Sequence, residues 1–206
     1  MEFAIFVMED SEDIVHPLSL KLFNYLIPRK DMVQIPVFAL ECGWFNFTCG
    51  HYLDEFSENH YKNLVVREFF AKNIPSAGVG CAFSRRALDT AARYNNNQLF
   101  SIHSLTEDYE IGLRLASYDL KTIFVKQAFK REVYKKSFWH KRPRKTVIKD
   151  YICVREYFPK KFWAAVRQKS RWVVGIALQG WTSLGWEGDL RAKYMLYRDR
   201  KTLLTS

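Results

Sequence analysis

Apolar and polar positions alternate in blocks along this chain. The first run, 3–8 (FAIFVM), is continuously apolar over a strand's length, the pattern of a strand covered on both faces. It ends on Glu9, Asp10, Glu12 and Asp13 around one serine. Pro17 then suits a first helical turn, and Leu18, Phe23, Leu26 and Ile27 recur at helical spacing up to Pro28. Strand, acidic loop, helix is the expected order. Residues 33–40 (VQIPVFAL) predict a second strand, and 53–73 a long amphipathic helix with Leu53, Phe56, His60, Leu64 and Val65 toward one side. Residues 74–88 (IPSAGVGCAFSRRAL) read as a glycine-punctuated turn entering a helix. A further helix opens at 104–106, the strand 121–127 (KTIFVKQ) follows, and 159–181 predicts one long helix. No internal repeat or low-complexity segment interrupts this order, and the alternation of strands with helices places the chain in the α/β class.

With 206 residues, 48% of them hydrophobic, the chain can bury a core, and its length argues for one domain or part of a larger one. No apolar stretch approaches the roughly 18 residues of a membrane span, since WVVGIALQGW is short and carries Gln179. The formal net charge of +10 points to an anionic partner. Residues 130–145 concentrate it: Lys130, Arg131, Lys135, Lys136, Lys141, Arg142, Arg144 and Lys145 stand against Glu132 alone, with Tyr134, Phe138 and Trp139 interleaved. That composition suits nucleic-acid phosphates and stacked bases, although no RRM, KH or helix-turn-helix signature accompanies it. An anionic membrane surface explains it equally. Cys42, Cys49, Cys81 and Cys153 lack a CxxC pair or a dense framework and are expected as reduced, packed thiols of a cytosolic setting. Cys42, Cys49 and His51 lack both the spacing and the fourth ligand of a common zinc site.

Three constellations carry candidate chemistry. Asp10, Glu12 and Asp13 follow a strand, where ligands gather in open α/β sheets; they suit Mg²⁺ or Mn²⁺, or else they stabilise the start of the next helix. In SLTEDYE, Ser104 and Glu107 have capping-box spacing, which leaves Asp108 as a candidate general base on the first helical turn. In QKSRW, Gln168, Arg171 and Trp172 share one helix face, where Arg171 can grip a phosphate and Trp172 can offer a flat stacking surface, or the tryptophan can simply enter the core.

Acids after a strand, then TED, then QxxRW resemble the inverting, processive glycosyltransferases of the cellulose-synthase type in family 2. DSEDIVHPLSLKLFNYL, DEFSENHYKNLVVRE, PSAGVGCAFSRRAL, LTEDYEIGLRL, REYFPKKFWAAVRQKSRW and YRDRKTLLTS are similar, more narrowly, to the bacteriophage adsorption protein B (NfrB-like) glycosyltransferases of bacterial inner membranes. The resemblance spans nearly the whole chain. It implies an α/β fold that is the C-terminal part of a GT-A type (Rossmann-like) domain over residues 1–206, with a basic tail from about 187. Asp10, Glu12 and Asp13 would hold the divalent ion against a nucleotide-sugar donor, although the family more often has aspartate at the second place. Asp108 would deprotonate the acceptor hydroxyl, with Glu107 beside it in the catalytic set and Thr106 of the same motif binding substrate. Arg171 would meet charge on the leaving group, and Gln168 and Trp172 would line the glycan acceptor. Gly78 and Gly80 would bring backbone against that acceptor sugar. The family also carries a nucleotide-binding half ahead of the acidic loop, flanking transmembrane helices and a later cyclic-di-GMP-binding domain. Their absence, with Met1 one residue before a core strand, predicts a truncated or split product whose donor binding needs a separate nucleotide-binding half.

Overall fold

A computed structural model describes residues 5–101, 103–137, 140–201 and 203, with side chains throughout except at 135–137 and 140–143. Phe3 and Ala4 of the first apolar run, Phe138 and Trp139 of the basic segment, the side chains of Lys135, Lys136, Lys141 and Arg142, and most of 202–206 lie outside the described residues.

The main sheet has four strands in the order β1-β5-β3-β6: β1 (Ile5–Met8), β5 (Cys81–Ser84), β3 (Met32–Gln34) and β6 (Thr122–Phe124). β5 runs antiparallel to both neighbours, whereas β3 and β6 are parallel. Successive side chains point to opposite faces, so Met32, Cys81 and Phe83 enter one core and Val33 and Ala82 the other. The first core is closed by α3 (Leu64–Phe70), α4 (Arg85–Tyr94) and α5 (Glu107–Ser117) through Leu64, Ala87 and Ile111. The second is closed by α1 (Ser19–Leu26), whose Phe23 is buried there with Ile27. Both faces of the sheet are covered, in keeping with the continuous apolar run of β1.

A small sheet lies beside it: β2 (Ile14–Val15) antiparallel to β9 (Val154–Glu156), and β9 parallel to β4 (Val37–Ala39). The run 33–40 is therefore two strands. Pro36 has no N–H to offer a ladder and divides β3 in one sheet from β4 in the other; its carbonyl accepts from Val154 N at 2.9 Å. The glycine-punctuated segment holds a central strand, β5, that its flanking glycines and serine conceal. Basic residues 130–145 fall within a hairpin of β7 (Ala128–Ser137) and β8 (His140–Tyr151).

The helix predicted from Leu53 begins earlier, at α2 (Phe47–Glu58), and passes through a π-helical stretch, Asn59–Asn63, into α3. Leu53, Phe56, His60 and Leu64 do face inward, but Val65 is exposed and Arg67 takes the next buried position. Residues 159–181 form α6 (Phe162–Val173), a π-helical stretch Val174–Gln179 and the start of α7 (Gly180–Leu184). The basic tail folds as α8 (Leu190–Arg200).

Cys42 and Cys49 are joined in a disulfide, which corrects the expectation of four reduced thiols and removes both from any zinc site. Asn46 caps α2 by accepting from Cys49 N at 3.0 Å, and this turn brings the two half-cystines together. Cys81 and Cys153 are free and buried, as expected.

Candidate functional site

The main sheet has one functional edge. β1 and β3 end there and β5 begins there, with Met8 and Gln34 both opposite Cys81. From the end of β1, Glu9 turns toward the 78–80 turn and its Oε2 accepts from Gly80 N at 3.0 Å, while Oε1 is buried with no hydrogen-bond partner among the described residues. Burial pushes the Glu9 carboxyl up to about 7 against the opposing Gly80 N–H, and the charges of Asp13 and Asp10 push the same way. Asp13 closes the loop, its Oδ2 accepting from Asp10 N at 2.9 Å and its Oδ1 buried and unpartnered. Burial raises Asp13 as well. Asp10 and Glu12 are exposed. None of these acids caps the following helix: α1 has no acid in its first turn, and β2 intervenes. The helix-capping explanation of the acidic loop therefore falls.

Gln34 builds the neighbouring wall. Its buried amide donates to Val79 O at 2.8 Å and Gly80 O at 3.1 Å and accepts from Ala77 N at 2.9 Å, which fixes the 77–80 turn to β3. Gly78 has φ +80, and a Cβ there would stand 2.6 Å from Asp108 Oδ2. Gly80, at φ +63, is hemmed by Val154, Ile35 and Gln34. Both glycines thus abut the protein's own site residues, Gly78 against Asp108 and Gly80 holding Glu9. Gly112 lets α5 lie on the same segment, since a Cβ would reach within 2.3 Å of Ser76 N.

The expected capping box is not formed. α5 starts at Glu107 with Thr106 as its N-cap residue, and Ser104 Oγ instead donates to the buried Glu110 Oε1 at 2.7 Å. Glu107 is exposed and Asp108 half-buried. Asp108 Oδ1 accepts from Tyr109 N at 2.8 Å. Burial raises its carboxyl; the Tyr109 N–H opposes this, the Glu107 charge adds to it, and Arg171 pulls it back down.

The QxxRW face divides. Gln168 Oε1 accepts from Tyr52 OH at 2.7 Å, and Trp172 stands edge-on to Tyr52 at 6.2 Å within a cluster that includes Phe56 and Phe158. These two residues are engaged in packing, the plainer of the two readings of the sequence. Arg171 is exposed, with its charge acting on Asp108. Beyond α6 the π-helical stretch grips the TED segment. Gly175 lies so close that a Cβ would meet Thr106 Oγ1 at 2.5 Å, and Gln179 accepts from Leu105 N at 2.8 Å and donates to His103 O at 3.1 Å. The two motifs are held as one unit.

Glu156 escaped the sequence reading. The β2–β9 register pairs Ile14 with Arg155, which sets Asp13 and Glu156 at neighbouring positions just past the ladder. Burial pushes Glu156 up to about 8, aided by Asp13, Asp10, Glu12 and Asp108 in that order. Its carboxylate therefore feels both the acidic loop and Asp108, while the Arg171 charge acts on Asp108. Among the described residues no group of three or more His, Cys, Asp or Glu is arranged to hold a metal. The site does not fit a closed protein cage. A hard cation that takes one or two carboxylates and completes its shell with phosphate oxygens and water would find in Asp13 Oδ1 an oxygen with no hydrogen-bond partner among the described residues.

Residues 5–206 match the family described as Glycosyl transferase family group 2. Bacteriophage adsorption protein B of Escherichia coli (strain K12) is 46% identical over 99% of this chain, and bacteriophage N4 adsorption protein B of Escherichia coli O157:H7 gives the same values. The alignment covers 27% of each of these proteins, so the chain spans about a quarter of the length of the curated relatives it matches.

Proposed function

Because the chain belongs to glycosyl transferase family group 2, we propose that it forms the catalytic segment of an inverting glycosyltransferase, the C-terminal part of a GT-A type domain, which moves a sugar from a nucleotide-sugar donor, a UDP-sugar by preference, to a growing surface polysaccharide. The observation that supports this best is the 78–80 turn, where Gly80 N holds Glu9 at the head of the acidic loop and Gly78 abuts Asp108, on which the Arg171 charge acts.

In this reading Asp108 accepts the proton of the acceptor hydroxyl, which then attacks the anomeric carbon from the face opposite the leaving nucleotide. Burial makes Asp108 a stronger base than an exposed aspartate, and Arg171 keeps it ionised for that task. The leaving diphosphate gains negative charge as the bond breaks, so the exposed Arg171 guanidinium stabilises the transition state more than the ground state. Asp10, Glu12 and Asp13 would hold Mg²⁺ or Mn²⁺, which when bound supplies neutralising charge to the diphosphate. Glu107 adds negative potential beside the base. Gln168 and Trp172 act through Tyr52, fixing the helix that carries Arg171. Thr106, pinned under Gly175, fixes the first turn of α5. In this reading a separate nucleotide-binding half would grip the nucleotide base.

We place the protein at the cytoplasmic face of a bacterial inner membrane, drawn to anionic lipid by the β7–β8 hairpin. Among the described residues no helix is long and apolar enough to cross a membrane. Two of the hairpin's cations are engaged within it, Arg131 with Asp150 and Lys145 with Glu132, which leaves the remaining lysines and arginines to meet an anionic partner.

The test is Asp108→Asn in the full-length protein. Transfer should fall by roughly 10²–10⁴-fold while calorimetric binding of UDP with Mn²⁺ is retained. Joint loss of binding and transfer would reduce Asp108 to a structural role.

A further inference from the structure

Among the described residues, the three most exposed apolar side chains lie together. Trp44 is 100% exposed, Phe45 92% and Phe47 87%, all on the loop entering α2. Phe162 and Trp163, 63% and 70% exposed, open α6 and meet edge to face at 5.3 Å. The two groups border one open concavity, lined by Gly43, Trp44, Phe45, Phe47, Lys160 and Phe162 among others, with no acid in its lining. Soluble surfaces rarely leave so much aromatic area in water without a use for it.

The loop is built to hold this display. Asn46 N donates to Gly43 O at 2.9 Å, and the Asn46 side chain caps α2 by accepting from Cys49 N at 3.0 Å. Tryptophan and phenylalanine beside lysine is the composition that settles at the boundary between headgroups and acyl chains, where rings lose water and ammonium groups meet lipid phosphate.

We propose that the 43–47 loop with Phe162 and Trp163 is a membrane-insertion surface that seats its rings at the headgroup boundary of an anionic bilayer, with Lys160 and Lys161 on the lipid phosphates. This rests on the membrane-surface reading above and names the surface responsible; it does not depend on sugar transfer. The insertion surface orients the domain, whereas the basic hairpin supplies only long-range attraction.

The experiment is co-sedimentation of the chain with phosphatidylcholine vesicles containing roughly one-third phosphatidylglycerol. Trp44→Ala/Phe45→Ala/Phe47→Ala should lower partitioning roughly 10-fold or more, and Phe162→Ala/Trp163→Ala should lower it as well, with thermal unfolding unchanged because these side chains are exposed. The parent's tryptophan emission should shift to the blue on binding, and the triple variant should lose most of that shift. The proposal is overturned if the triple variant sediments like the parent, or if only the hairpin variant Lys130→Glu/Lys149→Glu loses binding. It is overturned equally if the parent ignores vesicles but self-associates through these rings, which would make a second copy the occupant. Transfer activity of the Asp108→Asn protein is read separately, so either reading can fail alone.

Discussion

Gly78 shows how little space the site leaves at the level of one residue. Its φ of +80 is costly for any residue with a Cβ, and that Cβ would press on Asp108 Oδ2. Gly78→Ala should therefore cost about 1–2 kcal/mol in stability from backbone strain and reduce transfer by more than that loss explains. Chemical denaturation and single-turnover rates on the same variant separate the two effects. Glu156 and Glu9 carry a second consequence. Burial pushes their carboxyls up to about 8 and about 7, well above the ordinary glutamate range, so the folded chain keeps protons that the unfolded chain has released. Their contribution to stability is complete below about 4.5 and is lost as pH rises through 7 to 8. Melting temperature should decline across that window. Glu156→Gln, which cannot ionise beside Asp13, Asp10, Glu12 and Asp108, should flatten the decline, and a slope identical to the parent's would remove Glu156 from the acidic group. Mn²⁺, favoured by ionised carboxylates, should raise the melting temperature more at pH 8 than at pH 6.

Among the elements, those with a strong period were legible in the sequence. α5 and α6 announce themselves by apolar spacing, and β1 by its unbroken run. β5 did not, because a four-residue central strand between Gly80 and the capping Ser84 looks locally like a turn. The β7–β8 hairpin was silent for another reason: most of its described side chains are exposed on both faces, so no buried stripe imposes a period. The three motifs of the site were visible, as was the candidate base. Glu156 and Gln34 were not, since one acquires its neighbours from the β2–β9 register and the other from the β3–β5 register. The Cys42–Cys49 bond likewise depends on the turn that starts α2. In the chain-entropy picture a cross-link over a sequence separation of 7 stabilises by about 2 kcal/mol. Reductant should lower stability by that amount, read by urea denaturation with the parent and with Cys42→Ser/Cys49→Ser. At a cytoplasmic location the glutathione pool opens such a bond, and thiol trapping of freshly lysed cells should then label both cysteines.

Across the whole molecule, the helices behind the site are joined by a buried polar knot. Arg67 of α3 donates to both carboxylate oxygens of Asp199 in α8, at 2.9 and 2.7 Å, and to the backbone carbonyl of Asn73 at 2.8 Å. Tyr109, next to the candidate base on α5, donates to Asp199 Oδ2 at 2.5 Å. Arg67 is 5% exposed, so its charge has little water to fall back on. Removing one partner leaves the other charge buried and uncompensated, which costs about 3–5 kcal/mol in comparable sites, whereas replacing both with apolar groups of similar volume is often neutral. Arg67→Met and Asp199→Leu should each destabilise by about that amount. The double variant should recover most of the loss, because neither charge is then stranded, although Tyr109 OH also gives up its acceptor. Guanidinium denaturation of all four proteins yields the coupling directly. Singles that cost less than about 1 kcal/mol would mean that water reaches the pair and the knot does not tie α8 to α3. If the double variant folds as well as the parent but loses transfer, the knot serves to position α5, through Tyr109, so that Asp108 meets the acceptor hydroxyl.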